Sequence, residues 1–146
     1  MRALRLYAGP AARRHIEQHG LSAGDVATVP AAAGGPKGLI LGPLDRFIFG
    51  RWLPQSRQPV DLVGASIGAW RMATACLHEP AAAFEKLEHG YIHGDMRAPP
   101  GRRLPLPEQV SATFAANLRA MFEGQVDTIL RHPRYRLHVL ASRGRH

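Results

Sequence analysis

The chain has 146 residues, a formal net charge of +8 and a hydrophobic fraction of 45%. This length suits one domain, and the apolar content excludes wholesale disorder. No apolar run reaches the roughly 18 residues of a membrane-spanning helix, and Cys76 is the only cysteine, which excludes an intrachain disulfide. The first residues do not form a secretory signal, so we expect a cytoplasmic protein.

Arginine supplies most of the positive charge, since Lys37 and Lys86 are the only lysines among 19 basic residues. A basic chain can bind nucleic acid or anionic lipid. The arginines are scattered, however, and the sequence contains neither a long basic run nor zinc-finger spacing. We interpret the charge as a compositional bias towards Ala, Arg, Gly and Pro rather than as a nucleic-acid surface.

The first half of the chain predicts a helix, a strand and a second helix in that order. Residues 10–19 predict a short helix that is opened by Pro10 and closed by Gly20. Residues 25–33 predict a strand running into a glycine-rich loop, although Pro30 removes a ladder N–H and makes the strand short or bulged. Residues 37–53 repeat apolar residues at helical spacing, with a bend expected at the Gly-Pro pair 42–43.

The second half alternates in the same way and ends on a strand. The predicted elements are a strand at 59–65, helices at 67–77 and 80–90, a Pro- and Gly-rich loop at 94–107, a long helix at 108–131 broken at Gly124, and a strand at 135–140. This order predicts an α/β fold with a mainly parallel sheet and helices on both faces, a three-layer α/β/α arrangement. Sites in such sheets form beyond the carboxyl ends of the strands.

A G-x-S-x-G motif, made by Gly64, Ser66 and Gly68, joins the clearest strand to an apolar helix. This strand–turn–helix setting is the one that a nucleophile elbow needs. The serine there takes a strained backbone, so its neighbours must be small, and the helix N-terminus favours a developing oxyanion. We predict Ser66 as a nucleophile and the Ile67 N–H as an oxyanion donor. The alternative is a tight turn whose serine only caps the helix.

The second glycine-rich turn lies about thirty residues upstream and contains Gly34, Gly35, Pro36, Lys37 and Gly38. Glycines allow close approach of the backbone to a substrate. Pro36 has no N–H, so the donors would be those of Gly35, Lys37 and Gly38. The phosphate-loop and dinucleotide fingerprints are both absent. A glycine-rich loop paired with an elbow favours an oxyanion hole over a nucleotide site.

These two motifs, in this order and spacing, resemble those of the patatin-like phospholipases. The resemblance implies an acyl hydrolase that uses a serine–aspartate dyad on lipid esters, with the substrate at a membrane surface and without a metal or an organic cofactor. It implies that Ser66 is the nucleophile and that Gly34, Gly35 and Gly38 belong to the oxyanion loop. Lys37 stands where the family often has arginine.

The chain departs from the family because it contains no Asp-Gly-Gly or Asp-Gly-Ala, the motif that carries the catalytic aspartate. Asp95 and Asp127 are the only aspartates after Ser66, and neither is in that context. A serine without a base is a poor nucleophile, so the activity of this chain alone stays open. We therefore expect the N-terminal part of a longer catalytic domain, whose oligomeric state stays open.

Two other functions remain open at this stage. A Ser-His-Asp esterase or acyltransferase would use His132 or His138 as its base, since the order Ser, Asp, His matches an α/β-hydrolase. A non-catalytic fragment or basic binding module would do no chemistry. His15 and His19 have a spacing that suits metal ligands, but the full H-E-x-x-H pattern is missing, so we interpret them as part of a polar helix face.

Overall fold

Among residues 5–94 and 100–144, which this computed structural model describes, three parallel strands form the sheet. They are β1 (Thr28–Ala31), β2 (Val60–Ala65) and β3 (Tyr135–Leu140), with β2 in the centre. β1 and β3 both pair with β2 in parallel. The prediction of an α/β fold with a parallel sheet is confirmed.

Helices connect the strands. The α-helices are α1 (Pro10–His19), α2 (Gly42–Phe47), α3 (Ile67–Ala75), α4 (Pro80–His93), α5 (Pro107–Phe122) and α6 (Val126–Leu130). Short 3-10 segments lie at Ala23–Asp25, Gly35–Leu41 and Leu53–Gln55, and a wider π-type turn spans Ile48–Trp52. No helix in the described part of the chain is long and apolar enough to cross a membrane.

The core lies between one face of the sheet and the central helices. α3 packs against all three strands, and α4 packs on α3 and α2. The fully buried side chains include those of Val60, Leu62, Phe49, Met72 and Phe84. α3 is apolar over most of its surface because it is covered by the sheet on one side and by α4 on the other.

The other face of the sheet does not carry the second helix layer that the sequence predicted. Thr28, Pro30, Arg136, His138 and Leu140 alternate with the core-facing positions of β1 and β3, and all of them are exposed. The described residues therefore form two layers rather than three. The physical reason is visible in β3, where apolar and polar residues alternate, a pattern typical of a strand with one solvated face.

The predicted helix at 37–53 is wrong as a single element. The chain instead forms the 3-10 segment Gly35–Leu41, then α2, then the π-type turn at Ile48–Trp52. Pro43 cannot donate an N–H to the preceding turn, so the helix restarts there, as the predicted bend required. A Cβ at Gly42 would overlap the Glu88 carboxylate, the end of a flexible side chain that would have to move aside.

The other elements follow the predictions: helix 10–19 and strand 135–140 have the predicted bounds, and the helix predicted at 80–90 extends to His93. The predicted strand at 25–33 is reduced to Thr28–Ala31, and Pro30 fits because alternate N–H groups of an edge strand point away from the sheet. The long helix breaks at Gly124, which has a φ of 74°. Residues 95–99 of the predicted loop at 94–107 lie outside the described residues, and Asp95 is among them.

Candidate functional site

The two predicted turns lie at the same edge of the sheet. β1 ends at Ala31 and β2 ends at Ala65, and Ala31 is paired in register with Gly64. Because the strands are parallel, the glycine-rich turn and the G-x-S-x-G turn leave the sheet side by side. This is the edge at which α/β sheets form their sites.

Ser66 has an unusual backbone conformation, with φ 53° and ψ −126°. It is the only non-glycine residue with positive φ among the residues that the structure describes. Such a conformation costs about 1–3 kcal/mol and persists only where the surroundings impose it. Ser66 is exposed, and it is followed at once by α3. This is the strained turn that a nucleophile elbow requires.

The two glycines of the motif are required by tertiary packing. A Cβ on Gly64 would lie 2.5 Å from the Cα of Ala69, inside the first turn of α3. A Cβ on Gly68 would lie 2.6 Å from the carbonyl carbon of Ala31 and would overlap its oxygen. The glycines therefore allow α3 to sit against the ends of both β1 and β2. That close approach holds Ser66 in its strained conformation.

Gly68→Ala is expected to lower the free energy of unfolding by about 3 kcal/mol or more, because the new methyl group meets a backbone carbonyl that cannot move aside. Gly90→Ala is the matched control. Gly90 lies within α4 with open space around its Cα, so alanine there should raise stability by about 0.5–1 kcal/mol. Urea unfolding of both variants checks this, and equal effects of the two substitutions would contradict it.

The N-terminus of α3 supplies backbone donors beside Ser66. The Ala69 and Trp70 N–H groups donate to the Ser66 carbonyl, at 2.9 and 3.3 Å. The N–H groups of Ile67 and Gly68 precede them in the first turn, where a helix offers no internal acceptor. They therefore remain available, and the helix dipole adds partial positive charge at the same point. The Ile67 N–H is thus in a position to stabilise negative charge that develops next to Ser66.

The glycine-rich turn lies against this first helical turn. A Cβ on Gly38 would come within 2.9 Å of the Ile67 side chain, so Gly38 serves close packing between the two turns. The Lys37 N–H donates to the Gly34 carbonyl at 3.3 Å, which removes it from the predicted donors. Gly35 has a φ of 55°, and its N–H and that of Gly34 precede the first bond of the 3-10 segment. These two N–H groups are the donors that the turn leaves open, whereas Gly38, also predicted as a donor, lies inside the 3-10 segment, where N–H groups bond within the segment.

A buried ion pair connects the helices beneath the two turns. Asp45 of α2 and Arg71 of α3 are 4% and 7% exposed, and two hydrogen bonds of 2.6 and 2.7 Å join them. The Cδ of Arg71 would lie 3.7 Å from a Cβ on Gly38. The pair therefore holds α2, α3 and the glycine-rich turn in one arrangement. Sequence reasoning missed this pair because nothing in the local pattern marks either residue as buried.

An apolar cleft opens beside the site, between α3, α4 and α5. Its volume is about 60 Å³, and its lining includes Trp70, Leu87, Tyr91, Phe114 and Met121. The hydroxyl of Tyr91 would lie 3.9 Å from a Cβ on Gly35, and Trp70 is in the first turn of α3. The cleft is therefore adjacent to both turns. Helical spacing of apolar residues was the only sequence signal for it, and that signal equally fits core packing.

The residues predicted as candidate catalytic bases lie away from Ser66. His132 precedes β3, at the opposite edge of the sheet from Ser66, and its Nδ1 accepts hydrogen bonds from the N–H groups of Arg134 and Tyr135, at 3.1 and 2.8 Å. His138 contacts Asp61 at 3.0 Å on the exposed face of β3.

Asp127 is an exposed residue of α6, 3.9 Å from Arg131. The structure therefore brings neither histidine into the arrangement with Ser66 that a Ser-His-Asp triad needs, and it gives Asp127 an arginine partner instead.

The stability of the fold is expected to fall as the pH drops below about 6.5, in part through His132. Burial lowers the pKa of His132, and the nearby Arg134 and His78 add to the effect. At pH values between the lowered pKa and the ordinary pKa, the unfolded chain binds more protons than the folded chain. The contribution of His132 to the free energy of unfolding is therefore complete above the ordinary pKa and is lost as the pH falls below it. A protonated Nδ1 would also lose both of its backbone donors.

His132→Asn removes the titration and keeps an oxygen that can accept from the same backbone. Urea midpoints measured at about pH 7.5 and about pH 5 should therefore differ less in His132→Asn than in the parent chain. An equal pH dependence in the two proteins would contradict this role of His132.

His15 and His19 lie together on α1, with ring centroids 5.1 Å apart. The Nε2 of His15 lies 2.9 Å from an Asp25 oxygen, in the turn that follows the helix. Within the described ranges, no group of three or more metal-ligating side chains comes together. His15 therefore has a hydrogen-bonding partner on the protein surface, and both residues belong to an exposed face of α1.

Comparisons of this chain with protein-family models, with curated proteins and with solved structures found no match. The family resemblance therefore depends on the two motifs and their spacing.

Proposed function

We propose that this protein is a serine acyl hydrolase for carboxylic esters of lipids, related to the patatin-like phospholipases, with Ser66 as its nucleophile. The observation that carries the proposal is the backbone conformation of Ser66, which has a positive φ. Ser66 stands between two glycines, Gly64 and Gly68, whose surroundings leave no room for a side chain. A serine that only capped α3 would accept a hydrogen bond from the helix with its side chain, and Ser66 does not do so.

In the proposed reaction, the Ser66 hydroxyl attacks the ester carbonyl carbon and passes its proton to a base, which then returns the proton to the departing alcohol. The described candidates His132, His138 and Asp127 lie elsewhere, so none of them is that base. The carbonyl oxygen becomes negatively charged, and the Ile67 N–H and the open N–H groups of Gly34 and Gly35 stabilise it. Losing one such donor costs on the order of a hundredfold in rate. The alcohol then leaves, and water hydrolyses the acyl-enzyme.

The apolar cleft is the proposed site for the acyl chain. A cavity of about 60 Å³ is smaller than the roughly 150 Å³ that admits benzene, so it suits the first few carbons of an acyl group. Trp70 flanks the cleft on the side of Ser66, and Tyr91 flanks it on the side of the glycine-rich turn. Esters of short acids are therefore the substrates of choice for a first assay.

The test is whether Ser66 reacts as a nucleophile. A fluorophosphonate probe should bond its phosphorus to the Ser66 oxygen and release fluoride, and mass spectrometry of the digested protein identifies the labelled serine. Ser66→Ala should not be labelled. Ser111→Ala, which changes an exposed serine of α5, should react like the parent chain. An unlabelled parent chain, or labelling that survives in Ser66→Ala, would remove the basis for a hydrolase.

A further inference from the structure

The helical segment from residue 35 to residue 55 exposes a row of apolar side chains. Ile40, Leu44 and Phe47 are 82%, 40% and 53% exposed. Leu44 and Phe47 are three residues apart and share one side of α2, and Ile40 is exposed in the 3-10 segment just before them. The opposite side, which includes Asp45, Phe49 and Leu53, is buried against the core. The segment therefore carries apolar side chains on its buried side and on its exposed side. The exposed apolar row has no partner among the described residues.

Basic residues lie at both ends of this row. Lys37 precedes Ile40 by one 3-10 turn and Arg51 follows Phe47 by one helical turn, and both are exposed. We call Lys37, Ile40, Leu44, Phe47 and Arg51 the basic–apolar stripe. Long basic side chains at the ends of an apolar surface can reach anionic headgroups while the apolar groups enter the acyl boundary.

The segment that carries the stripe adds no exposed negative charge to it. Asp45 is the only acidic residue between residues 35 and 55, and its charge is buried and paired with Arg71. Arg46 is directed to α4, where its guanidinium lies 2.6 Å from Glu88 and 3.9 Å from the exposed Glu85. The outer surface of the segment is therefore apolar and positive. An exposed surface of this composition is complementary to a negatively charged bilayer.

We propose that the basic–apolar stripe docks this protein on a membrane surface that contains anionic lipids. The choice of a lipid as the partner rests on the proposed function, and the position and charge of the stripe support it independently. The stripe begins within the glycine-rich turn, since Lys37 belongs to both. Docking would therefore bring the Ser66 site to the headgroups and ester bonds of the bilayer.

Sedimentation with lipid vesicles tests the proposal. The protein should sediment with vesicles that mix phosphatidylcholine and phosphatidylglycerol, less so with pure phosphatidylcholine, and less again at high salt. The double variant Ile40→Ser, Phe47→Ser should lower binding by at least about tenfold. Lys37→Ala and Arg51→Ala should each lower binding to the anionic vesicles by about fivefold.

Two controls separate this result from other causes. Leu118→Ser removes an apolar side chain of α5 that is 52% exposed, close to the value for Phe47, and should bind like the parent chain. Ser66→Ala should also bind fully, since docking does not need the nucleophile. Binding by Ser66→Ala together with failed fluorophosphonate labelling would reject the hydrolase and keep the docking surface. Labelling of Ser66 without vesicle binding would reject the docking surface and keep the hydrolase.

The proposal is overturned if the parent chain does not sediment with anionic vesicles, or if Leu118→Ser weakens vesicle binding as much as the stripe variants do. It is also overturned if the protein forms a dimer in solution that Ile40→Ser, Phe47→Ser dissociates, because a second copy would then cover the stripe. Circular dichroism of each variant verifies that its fold is retained. Should the double variant unfold, Lys37→Ala and Arg51→Ala still decide the question.

Discussion

Ser66→Ala is expected to reduce the rate at which the parent chain hydrolyses a short p-nitrophenyl ester by at least about a thousandfold. The backbone donors around Ile67 remain in this variant, but the carbonyl carbon has no protein oxygen to attack it. Steady-state hydrolysis at several substrate concentrations measures the effect, which should appear in kcat. Ser111→Ala should retain the parent rate.

Ser66→Gly provides a second control because it separates chemistry from folding. Glycine adopts positive φ without strain, whereas alanine in the same conformation retains the cost that serine carries. Both variants should be inactive, and Ser66→Gly should be about 1 kcal/mol more stable than Ser66→Ala in urea unfolding. Ester turnover that persists in either variant would show that the reaction does not use Ser66.

Arg71→Met is expected to lower the free energy of unfolding by about 3–5 kcal/mol. The substitution leaves the Asp45 carboxylate buried without its partner, and an isolated buried charge is far costlier than the loss of one surface contact. Arg13→Met is the matched control, because Arg13 pairs with Glu17 on α1 and its side chain is 72% exposed. That change should leave stability within about 0.5 kcal/mol of the parent chain.

The double variant Asp45→Asn, Arg71→Met tests the cause of the loss. With the carboxylate neutralised, part of the stability should return relative to Arg71→Met alone, because the penalty arises from the unpaired charge. Equal losses for Arg71→Met and Arg13→Met would contradict the interpretation of a buried pair. Since Arg71 also lies under Gly38, the single variant should impair any reaction that depends on the glycine-rich turn.

The strands and most helices could be predicted because their signals are local. β2 is an apolar run between turn residues, and β3 alternates apolar and polar side chains. The break at Gly124 and the bend at Gly42 and Pro43 follow from the backbone chemistry of those residues. The helix at 37–53 could not be predicted in detail, because apolar spacing does not distinguish α, 3-10 and π-type turns.

The candidate site was predictable in its motifs and not in its contacts. The residues along the chain are enough to place a serine between two glycines after one strand and a glycine-rich turn after another.

The folded structure establishes the rest: Ser66 is strained, Gly68 packs against the Ala31 carbonyl, and the Lys37 N–H donates to the Gly34 carbonyl. It also decided that Asp45 and Arg71 meet and that one face of the sheet lacks a helix layer in the described residues. The physical reason is that motifs are set by neighbours along the chain, whereas burial, steric exclusion and charge pairing are set by residues distant in sequence.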